Sequence, residues 1–232
     1  MSLTIEKGAG VEFEQVPEGT YVARCFRVID LGTQETSYMG EPKKQKKVML
    51  SWEILGLPGG GDPPKFTIEE DGKQVEKVFT VHKRYTASLN ENSHLFKDLT
   101  SWRGKKFTQE ELLGFDLKNV LGTYCMLQVV HEESGDRTFA NVNAIMKTTE
   151  KPEPVLENVH FDLDEPDHNV YEALSDSIKQ TIAKSPEWNN QGKTDDAAKP
   201  DDKPAKPQTK EEIEKEEASL DDIPFSLDDI PF

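Results

Sequence analysis

From residue 20 to residue 147 the apolar side chains come in short, mostly alternating runs, and the period turns helical only once, between Asn92 and Gly114. A period of two suits strands that bury one face, and the Gly- and Pro-rich breaks between runs fix where the chain turns. Residues 20–31 (TYVARCFRVIDL) read as a long strand from which Arg24 and Arg27 must leave the core. A polar loop over 32–47 follows, holding Tyr38 and the cations Lys43, Lys44, Lys46 and Lys47. In 48–55, Val48, Leu50, Trp52 and Ile54 alternate with Met49, Ser51 and Glu53, so the first set faces the core. Residues 56–64 (GLPGGGDPP) form a flexible connection. Asp71-Gly72 then turns a hairpin whose second strand, within 75–89, carries Lys83, Arg84 and Tyr85.

The helical stretch carries Leu95, Phe96, Leu99 and Trp102 on one stripe, capped by Asn92 or Ser93 and stopped by Gly104. Thr108 and Glu111 make a capping box for a second, short helix ending near Gly114. Residues 124–131 and 137–147 are two more strands, joined through 133–136. The chain is therefore expected to be mainly β. Five strands with a helix between the third and fourth describe a Greek-key barrel of the oligonucleotide-binding type, spanning residues 19–150 behind an N-terminal arm at 1–18.

Beyond this the composition shifts. Residues 151–232 hold 22 acidic and 9 basic residues, against 22 and 19 in residues 1–150, so most of the net charge of −16 lies in the last third. A nearly balanced front domain retains the option of a basic groove. Tyr171, Leu174, Ile178 and Ile182 recur at helical spacing and predict one amphipathic helix over about 169–184, within an extension at 151–188. Residues 189–218 are almost free of apolar side chains and read as a disordered acidic tether. At 219–232 the heptad SLDDIPF is written twice in tandem. Acids beside Ile, Pro and Phe cannot build a core of their own, and suit insertion into a partner's apolar pocket with a basic rim.

Asp228, Asp229, Ile230, Pro231 and Phe232 resemble, residue for residue, the C-terminal tip of bacterial single-stranded-DNA-binding proteins, and Asp221, Asp222, Ile223, Pro224 and Phe225 repeat it. The pieces RYTASLN, LTSWRG, FDLKNVLG and ANV between Lys83 and Lys147 resemble small single-stranded-DNA-binding proteins encoded by bacteriophages. These resemblances imply a non-enzymatic protein of the bacterial cytoplasm. Its barrel would cover single strands, and its tip would recruit replication, recombination and repair enzymes of host or phage. The rival expectation is an adaptor or decoy that displays the tip without touching DNA.

Binding single strands takes cations along a groove and flat rings on which bases stack. Lys43, Lys44, Lys46 and Lys47 form the first candidate group, with Tyr38 beside them; Arg24, Lys83, Arg84 and Tyr85 form the second, and Lys105, Lys106 and Phe107 the third. Trp52 and Trp102 belong by period to the core. No catalytic, cofactor or metal motif stands out: His82, His94, His131, His160 and His168 lack paired ligand spacing, and Asp162, Asp164, Glu165 and Asp167 lack the Gly and distal Glu of a calcium loop. Cys25 and Cys125 lie in apolar runs and read as buried thiols. No apolar stretch approaches the ~20 residues of a membrane span, and no signal-peptide pattern opens the sequence.

Overall fold

The computed structural model describes residues 14–38, 41–70, 72–135 and 137–190; the residues at 219–232, the tether and most of the arm lie outside this range. The chain is mainly β. Strand β1 (Gly19–Tyr38) pairs antiparallel with β2 (Glu41–Gly56) along nearly its whole length, so the expected loop at 32–47 is instead a two-stranded ribbon. Its polar cross-strand pairs explain why alternation of apolar residues did not reveal it: Glu35 faces Lys44, Thr36 faces Lys43, and Thr36 Oγ1 donates to the Lys43 carbonyl (3.1 Å).

The following hairpin, β3 (Lys65–Glu70) and β4 (Lys73–Val78), forms a small sheet of its own, and the chain re-enters the main sheet as β5 (Thr80–Thr86) beside β2. What reads in sequence as one strand is thus broken at Phe79, which is buried against Phe66 (ring centroids 4.9 Å) and accepts a bond from the Ile54 amide (2.9 Å). Helix α1 (His94–Arg103) starts at Ser93, whose hydroxyl accepts from the Phe96 amide, and ends at Gly104 with φ +65°. Helix α2 (Gln109–Leu113) carries the expected reciprocal Thr108/Glu111 box. After a 3₁₀ turn at Leu117–Val120, β6 (Tyr124–Ser134) and β7 (Arg137–Met146) make the last hairpin.

The main sheet runs β5-β2-β1-β6-β7. Strands β5 and β7 approach each other, and α1 packs against both, but no ladder joins them among the described residues, so the sheet is not closed into a barrel. Its inner face packs Leu50, Trp52, Leu127 and Ile145 with Leu95, Leu99 and Trp102 of α1. The two indoles lie 5.8 Å apart, as core residues. Cys25 and Cys125 sit free in the same core, and burial pushes the Cys25 thiol up to about 12 and that of Cys125 well above its ordinary value.

The outer face is also covered. Strand β8 (Val159–Phe161) adds parallel to β1, and the expected single helix is three short ones, α3 (His168–Glu172), α4 (Asp176–Ala183) and α5 (Pro186–Asn189). The breaks follow local chemistry: Leu174 is buried before the new start at Ser175, and Pro186 fits only the first turn of a helix. Ile178 and Ile182 are fully buried against Ile29, Leu31, Met49, Phe161 and Leu163, a second core on the far side of β1 and β2. Gly32, at φ +71°, makes this docking possible, since a Cβ there would stand 2.5 Å from Ser185 Cβ and 2.7 Å from Leu163 Cδ1.

Arg24 and Arg27 therefore do not leave the core for solvent; both are buried, at 6% and 4% exposure, because residues 150–190 overlie that face. Arg24 Nε donates to Glu53 Oε1 (2.6 Å), and its Nη1 donates to Asn158 Oδ1 (2.6 Å). Glu53, fully buried, accepts on its other oxygen from the amides of Val155 (3.1 Å) and Leu156 (2.8 Å). A buried ion pair thus clamps an irregular strap across the sheet.

Candidate nucleic-acid interface

The register of β1, β2 and β5 sorts the sequence-predicted cations by face. Leu50 pairs with Lys83, and Val48 with Tyr85, so those two β5 side chains share the face of the inner core. Tyr85 is 2% exposed, and its hydroxyl donates to Asp98 Oδ2 of α1 (2.8 Å), which also holds Lys83 Nζ at 3.0 Å. Tyr85 is a core side chain here and offers no open face for stacking. Arg84, between them in sequence, stands on the outer face with Thr86 and His82.

On that outer face Arg27, Ser51 and His82 lie abreast on three neighbouring strands, and Arg27 Nε donates to Ser51 Oγ (3.2 Å). Burial, then the charges of Arg84 and Arg27, hold His82 far below the usual imidazole range, so it is neutral at ordinary pH. His82 and Arg84 are half-buried. Sequence reading missed that Arg27 and a neutral His82 lie beside Arg84, because only strand register brings 27, 82 and 84 together.

Lys47 and Lys43 continue this face onto the ribbon, whereas Lys46 and Lys44, alternating with them along β2, stand on its other face. Lys47 is 6% exposed and donates to Thr86 Oγ1 (2.7 Å), which ties the ribbon's root to the end of β5. Lys46 reaches Asp30 at 2.9 Å. Burial works against the Lys46 charge, yet the hydrogen bond and charge of Asp30 outweigh it and raise its pKa; burial likewise raises that of Asp30, despite Lys46. Lys44 is exposed and pairs with exposed Glu35 at 3.4 Å, and Lys43 is half-buried. An exposed pair of this kind contributes about 0–1 kcal/mol. The side chain of Tyr38, at the far end of β1, lies outside the described residues.

Arg24 is occupied by the strap, as above. The third predicted group stands elsewhere: Lys105 and Lys106 are exposed on the turn after α1, and Phe107 packs against Phe96 and Phe115, at 5.4 and 5.2 Å between ring centroids. The structure therefore places Lys43, Lys47 and Arg84 on one face with Arg27 and His82, and Lys44 and Lys46 on the other face of the ribbon. It sets Tyr85 and Lys83 on the opposite face and Lys105–Phe107 beyond α1.

Among the described residues no group of three or more His, Cys, Asp or Glu is gathered to hold a metal, and no helix is long and apolar enough to cross a membrane. No protein-family model matches the chain, and no curated protein matches it.

Proposed function

We propose that this protein binds single-stranded DNA along the β1–β2 ribbon and the adjoining outer face of β5, and presents the duplicated tip at 219–232 to partner enzymes. The carrying observation is that Lys43, Lys47, Thr86 and Arg84 share one face from ribbon to sheet, with Lys44 and Lys46 on the ribbon's other face. Such an arrangement follows a phosphate backbone without reading bases. We read the fold as an oligonucleotide-binding barrel left open along the β5/β7 seam: strands three, two, one, four and five lie side by side in that order, and α1 falls between the third and fourth. The resemblances of the 83–147 segment and of the tip support the same reading.

The test is charge reversal at Lys43 and Lys44, the two ribbon lysines not pinned into the fold by Asp30 or Thr86. The double variant is expected to bind an oligo-dT strand more weakly and with a shallower salt dependence, by about 0.7 in slope for each lost contact. Unchanged affinity and slope would remove the ribbon from the site.

A further inference from the structure

Leu113, at the end of α2, is 91% exposed. A lone exposed leucine is ordinary; this one sits two residues from Phe115, whose half-buried ring meets Phe107 edge-on at 5.2 Å. Arg103 lies over both rings, at 4.2 Å from the Phe107 centroid and 5.4 Å from that of Phe115. The acids nearby are partly engaged. Glu111 accepts from the Thr108 amide and from Arg103, which with the charges of Arg103 and Lys105 lowers its pKa, and Asp116 caps the turn through the Lys118 amide (2.8 Å). Glu110 remains as an opposing charge. Lys105 and Lys106 are exposed and make no hydrogen bond or ion pair among the described residues. An apolar surface with two exposed lysines beside it wants a ligand that is both apolar and acidic.

The geometry points to an occupant within the chain itself: the tandem segment 219–232, in which Asp pairs alternate with Ile and Phe. Twenty-nine positions separate Asn190 from Ser219, up to about 90 Å of chain at full extension and more than the width of a domain this size. Tethering supplies the segment at an effective concentration on the order of millimolar, which favours its own chain over a neighbour's. One heptad docked on the α1–α2 surface leaves the other for a partner. The duplication then serves two occupants, and Lys105, Lys106 and Phe107 face the tip, not DNA.

Carbodiimide cross-linking of the full chain tests this, since it joins amines to carboxylates only in contact. Peptide mapping is expected to find Lys105 or Lys106 joined to Asp221, Asp222, Asp228 or Asp229. In a mixture of ¹⁵N-labelled and unlabelled protein the links should stay within one isotope. Leu113→Ser should lower the yield about tenfold, the scale of losing one buried leucine, and added oligo-dT should leave it unchanged. Leu113 is too exposed for this change to unfold the protein, and a Phe225→Ala, Phe232→Ala double variant gives an independent reading with the same loss expected. Links only to Lys43 and Lys44, links only between isotopes, no links at all, equal yield in both variants, or loss of the links on adding oligo-dT would each overturn the assignment. Whether the ribbon binds DNA is measured separately, by the salt titration of the Lys43, Lys44 variant.

Discussion

The Arg24–Glu53 pair is the residue on which the outer layer turns. Neither charge is accessible, and each completes its hydrogen bonding on the strap through Asn158, Val155 and Leu156. Removing one partner leaves the other charge buried and uncompensated, which costs about 3–5 kcal/mol. Arg24→Met is therefore expected to lower stability by that amount in denaturant unfolding, and Glu53→Ala to do so while also speeding hydrogen exchange at the Val155 and Leu156 amides. Retained protection at 155 and 156 in Glu53→Ala would mean the strap is held by something else. His82 makes a second prediction. Its pKa is depressed in the fold, so the unfolded chain binds the proton more readily, and stability present above the unfolded value of about 6.5 is lost as pH falls below it. His82→Gln should lose less of its thermal midpoint between pH 7 and pH 5 than the native protein does. Equal losses would place the imidazole outside the electrostatics of the row.

At the scale of elements, much was legible in the sequence. The cap at Ser93, the stop at Gly104, the Thr108/Glu111 box and the hairpin at 133–136 depend on neighbours in sequence, and each is found where local chemistry puts it. What the sequence hid depends on distant partners. The ribbon has polar pairs and no apolar alternation, so 32–47 looked like a loop. Met49 alternates out of phase with the inner core, and only the docking of α4 reveals that it faces a second one. Arg24 and Arg27 looked solvent-bound for the same reason. The site divided along this line: lysines 43–47 were visible as a run, whereas the row through Arg27, His82 and Arg84 requires the register of three strands. Gly32→Ala tests how the layers are joined. It is expected to raise protease sensitivity within 159–190 with little change in the helix α1 region, because the added methyl meets Ser185 and Leu163 directly. A uniform loss across the molecule would show that the outer layer and the sheet unfold as one.

At the scale of the whole molecule, residues 1–150 are nearly balanced in charge, whereas residues 151–232, which include the outer layer, carry most of the excess acid. A net charge of −16 would repel a polyanion if it were spread evenly, so the proposed binding has to come from local basic side chains, and it has to weaken steeply with salt. Single strands are favoured over duplex if these side chains track one backbone, and are not if they form a general anion patch. The most direct measurement is a fluorescence anisotropy titration of the full chain with a labelled oligo-dT strand and with a duplex of equal length, at several salt concentrations. The account predicts tighter binding to the single strand, falling linearly in log–log form as salt rises. Equal binding to both forms, or no binding to either at low salt, would contradict it.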